Sequence, residues 1–112
     1  MNSDKVMTLS EQYQMLLLLY DKVLDLSQKV LKELEREGTE SNIILLLEQK
    51  KVAGEAIKHM TKKIASTEIK SKADPHLKTL AEVKSLLERI TEKAKLIQEV
   101  EEKIQKFLQE NG

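Results

Sequence analysis

Apolar residues along the first third of the chain fall at Leu9, Tyr13, Leu16, Tyr20, Val23, Val30 and Leu34. The steps alternate four and three, and only Ser27 interrupts them, which is the signature of a helix with one face packed on a neighbour. Leu17, Leu24 and Leu31 run beside that stripe and widen it enough for two neighbours. Thr8 followed three residues later by Glu11 forms a capping-box pattern at its start. At the other end, "EREGTES" predicts a stop, with Gly38 in the left-handed position after the helix and Thr39 or Ser41 capping the next one. The first helix is therefore expected over about 8–37.

A second helix is expected over about 40–66, with Ile43, Leu46, Ala53, Ile57, Met60 and Ile64 on one side. "STEIKSKADP" loses the period and reads as a loop or frayed end. Asp74-Pro75 is a strong start signal, with Asp as cap and Pro at the first helical position. The third helix, about 75–110, carries Leu80, Val83, Leu87, Ile90, Ala94, Ile97, Ile104 and Leu108 in threes and fours. No strand pattern competes. Short connections between long helices make consecutive helices antiparallel. The expected fold is all-α: one domain over 1–112, an up-down-up three-helix bundle with coiled-coil-like packing and a long C-terminal helix.

The run "MLLLLY", Met15 to Tyr20, holds more apolar residues than one helix face needs. At about 100° per residue, Leu16, Leu17 and Tyr20 face the core and Leu19 and Leu26 flank it. Met15 lies off the stripe and Leu18 points almost directly away. On the second helix Leu45 and Leu47 flank the stripe, whereas Ile44 points outward. The third helix, about 50 Å long against about 40 Å for the others at roughly 1.5 Å per residue, is expected to project past the turn at Gly38. In that part the apolar face doubles, with Leu96, Val100 and Phe107 beside Ile97, Ile104 and Leu108. An apolar surface of this kind marks an interaction site. The candidate partner-binding residues are Leu96, Val100, Ile104, Phe107 and Leu108, with Ile43 and Ile44 as an opposite wall. Its occupant would be a helix of another protein, a second copy in a homodimer, or the bundle itself.

Composition narrows the chemistry. Among 112 residues, 40% are apolar, 34% charged and only 3% aromatic, the mixture of helical bundles. Nineteen basic residues balance nineteen acidic ones, so no electrostatic footprint for nucleic acid is visible. There is no cysteine, no apolar run near the roughly 18 residues that span a bilayer, and no basic-then-apolar secretion signal at the start. A cytoplasmic setting is the expectation. His59 with Lys62 resembles the His-x-x-Lys of histidine phosphotransfer domains, but Lys63 stands where those domains place Gly. His76 has no partner at metal-ligand spacing. Glu101-Glu102 reads as a solvated flank. No catalytic set, metal or cofactor is expected, and the protein reads as a non-enzymatic binder.

The layout resembles a known family. The leucine-patterned "LLLLYDKVLDLSQKVLKELE", a short polar turn, "NIILLLEQKKVAGEAI" and a long last helix are similar to flagellar type III export chaperones of the FlgN/FliT class. In that pattern an apolar run after the turn is followed by a Lys and spaced apolar residues, here Leu46, Leu47, Lys50 and Ile57. The resemblance implies a cytoplasmic chaperone that holds a secreted hook-associated or filament-cap subunit and masks its assembly-prone terminal helix. It also implies that the C-terminal helix makes the partner contact.

Overall fold

The computed structural model describes residues 8–71 and 78–111, with three helices: α1 (Leu9–Glu35), α2 (Glu40–Ser71) and α3 (Lys78–Asn111). Asp74, Pro75 and His76 lie outside the described residues. The expected capping box is present. The Thr8 hydroxyl accepts from the Glu11 N–H at 3.1 Å, and the Glu11 carboxylate accepts from the Thr8 N–H at 2.8 Å. Thr39 rather than Ser41 caps α2, its hydroxyl accepting from the Asn42 N–H at 3.3 Å.

Two local expectations change. The left-handed residue after α1 is Glu37, with φ 56°, and not Gly38. The Gly38 N–H donates to the Glu33 carbonyl at 2.7 Å and the Glu37 N–H to the Leu34 carbonyl at 3.2 Å, the paired bonds of a Schellman motif. Space favours glycine at 38: a Cβ there would lie 3.1 Å from the Glu33 carbonyl oxygen, a tight contact, and would push the flexible Glu33 carboxylate aside. The second change is the length of α2, which continues through "STEIK" to Ser71. Tertiary contacts carry it past the loss of period, since the Tyr13 hydroxyl donates to the Glu68 carboxylate on this extension.

The three helices form an up-down-up bundle, but a flattened one. Its Cα extents are 54 × 32 × 16 Å, so one short axis is twice the other. A closed triangle of helices spaced 8–10 Å apart would make the two alike. Instead α1 packs against both α2 and α3, while α2 and α3 nowhere bring their Cα atoms within 8 Å among the described residues. The width of the α1 stripe is the cause: Leu26 serves the α2 side, Leu17 and Leu24 the α3 side, and all three are buried.

Side chains bridge the gap that the backbones leave. One cluster joins Tyr13, Leu16 and Leu17 to Ile64 of α2 and Val83, Leu86 and Ile90 of α3. A second, toward the Gly38 turn, joins Leu24 and Val30 to Val100 and Ile104, with Leu31, Leu34, Leu46 and Ile97 at its edge. Ser10 bonds Glu82 at 3.0 Å and Ser27 bonds Glu101 at 2.9 Å, partners 72 and 74 residues apart in sequence. These similar offsets run α3 parallel to α1 and set Glu35 about level with Leu108. Only the last turn of α3 passes the end of α1. The expected long projection is absent because α2 runs to Ser71, which starts α3 farther back and divides its extra length between both ends.

Candidate partner-binding face

At the centre of the bundle one polar contact ties all three helices. Ser27, with no exposed surface, donates its hydroxyl to the Glu101 carboxylate, and Lys50 makes an ion pair with the same oxygen. Glu101 is thus half-buried and committed, not the solvated flank that its neighbour Glu102 is. Sequence reasoning registered the gap at Ser27 but missed the matching ones. The α2 stripe steps from Leu46 to Ala53 over Lys50, and the α3 stripe from Ile97 to Ile104 over Glu101. Each helix breaks its four-three period once, and the three breaks meet.

The Lys50–Glu101 pair also sets the register of the antiparallel α2 and α3. Leu47 lies about level with Ile104, Ile43 with Leu108, and Gly54 with Ile97. Taking directions at 100° per residue from Lys50, the α2 side that looks across toward α3 carries Ile43, Leu47, Gly54, Thr61 and Ala65. Taken from Glu101, the facing side of α3 carries Leu87, Ala94 and Leu108. Between them the two form a shallow concave face above α1. Leu47, Leu87 and Leu108 remain 45%, 41% and 47% exposed on it. No atom lies within 4 Å of a Cβ built on Gly54, so the middle of the face is open.

The residues singled out for partner binding are not brought together as one stripe. Val100 and Ile104 are buried against Leu24 and Val30 and are core, which corrects their assignment to an accessible surface. They are covered because α1 extends alongside them almost to the end of α3. Leu108 points in the core direction but lies where α1 stops, and so stays exposed. Leu96 is exposed on the opposite edge of α3, while Phe107 is half-buried. Ile43 is half-buried beside the concave face, and Ile44 is exposed and turned outward. The concave face adds Leu47 and Leu87. Leu47 was legible as a flanking residue, whereas Leu87 sits in the α3 stripe and is left open only because α2 stands off.

Other chemistry is sparse. His59 is exposed, as are Lys62 and Lys63. Among the described residues no three His, Cys, Asp or Glu side chains are placed to hold a metal ion. An open hollow along the α1/α3 seam, bounded by Ser10, Gln14, Ala81, Glu82, Ser85 and Leu86, offers only one large apolar side chain. Among the described residues the one clearly displaced titratable group is structural: burial, then the hydrogen bond and charge of Glu68, pushes the Tyr13 phenol up to about 12. Among the described residues no helix is long and apolar enough to cross a membrane. No family model, curated protein or solved structure matches this chain.

Proposed function

We propose that this chain is a helix-binding export chaperone of the flagellar type III class, acting without catalysis in the cytoplasm. Its client would be a secreted hook-associated or filament-cap subunit, whose amphipathic terminal helix would lie along the α2/α3 face and be masked there. One observation carries the reading: α2 and α3 flank α1 with their backbones apart and only side chains bridging between them, which leaves a concave face with three half-exposed leucines and an open glycine. A fourth helix seated there would complete a bundle, with anchors spaced three and four apart. The pattern of "NIILLLEQKKVAGEAI" supports the choice of family. Covering the exposed halves of Leu47, Leu87 and Leu108 contributes on the order of 1 kcal/mol each, and the client's anchors add at least as much. After association costs, micromolar binding is the scale to expect.

The test is co-purification of the full chain with the terminal helical segments of hook-associated and filament-cap subunits. Leu47→Glu with Leu108→Glu should abolish the complex and leave the helical content intact, since both side chains are exposed. A chain that forms no complex with any of these segments at tens of micromolar is not such a chaperone. Truncation after Leu96 is not a usable control, because it removes Ile97, Val100 and Ile104 from the core.

A further inference from the structure

We draw no further inference here: the strongest candidate, the exposed apolar patch of Met15 and Leu18 on the outward face of α1, is an unpartnered helix face, and nothing in the structure shows what covers it.

Discussion

Replacing Glu101 with Met removes the acceptor shared by Ser27 and Lys50, and its cost can be worked from the geometry. The Ser27 hydroxyl is fully buried and would be left without an acceptor. An orphaned buried hydroxyl costs about 1–3 kcal/mol. Lys50 would lose its counter-ion while 19% of its side chain stays exposed. Breaking a fully buried pair typically costs about 3–5 kcal/mol, and partial hydration of Lys50 keeps the loss below that. Glu101 itself retains 38% exposure, so solvent already screens part of the attraction. The sum expected for Glu101→Met is about 2–4 kcal/mol. The triple change Ser27→Ala, Lys50→Met and Glu101→Met should recover to within about 1 kcal/mol of the parent, because a packed apolar node replaces a desolvated ionic one. Urea unfolding at neutral pH, followed by far-ultraviolet circular dichroism, measures both, with an unchanged m-value as the two-state check. Glu101→Met within about 0.5 kcal/mol of the parent, or a triple variant no more stable than the single one, refutes the reasoning.

Other consequences follow from single positions. Glu37→Gly should stabilise the protein by about 1 kcal/mol in the same urea assay, since it relieves a left-handed residue while keeping the Schellman bonds; a loss of stability would show that the glutamate side chain contributes instead. The Tyr13 phenol is raised to about 12 from an unfolded value near 10, so its contribution is fully present below pH 10 and is lost as pH rises through 12. At two units the loss is at most about 3 kcal/mol, and Tyr13→Phe should remove the late phase from an ultraviolet tyrosinate titration of the native protein. Val30→Ala, at 1% exposure, should cost about 1.5–2.5 kcal/mol, whereas Leu18→Ala, at 62%, should stay within about 0.5 kcal/mol by thermal or urea unfolding.

The amino-acid sequence alone determined three helices, the Thr8–Glu11 cap and most of the core, because these depend on short-range periodicity. Leu9, Tyr13, Leu16 and Tyr20 share a face whenever the backbone is helical, whatever else the chain does. The outward direction of Leu18 and Ile44 was legible for the same reason. Only the tertiary structure decided how far each helix slides along its neighbour and how widely the outer two stand apart. That slide buried Val100 and Ile104 and left Leu108 exposed where α1 ends, and it follows from the extension of α2 to Ser71. The splay uncovered Leu87 within its own stripe. Periodicity states which way a side chain points on its helix but not whether another helix is there to meet it. The breaks at Ser27, Lys50 and Glu101 are the exception. Three polar interruptions in three apolar stripes can be satisfied together at only one register, so a long-range contact was written locally, one residue per helix.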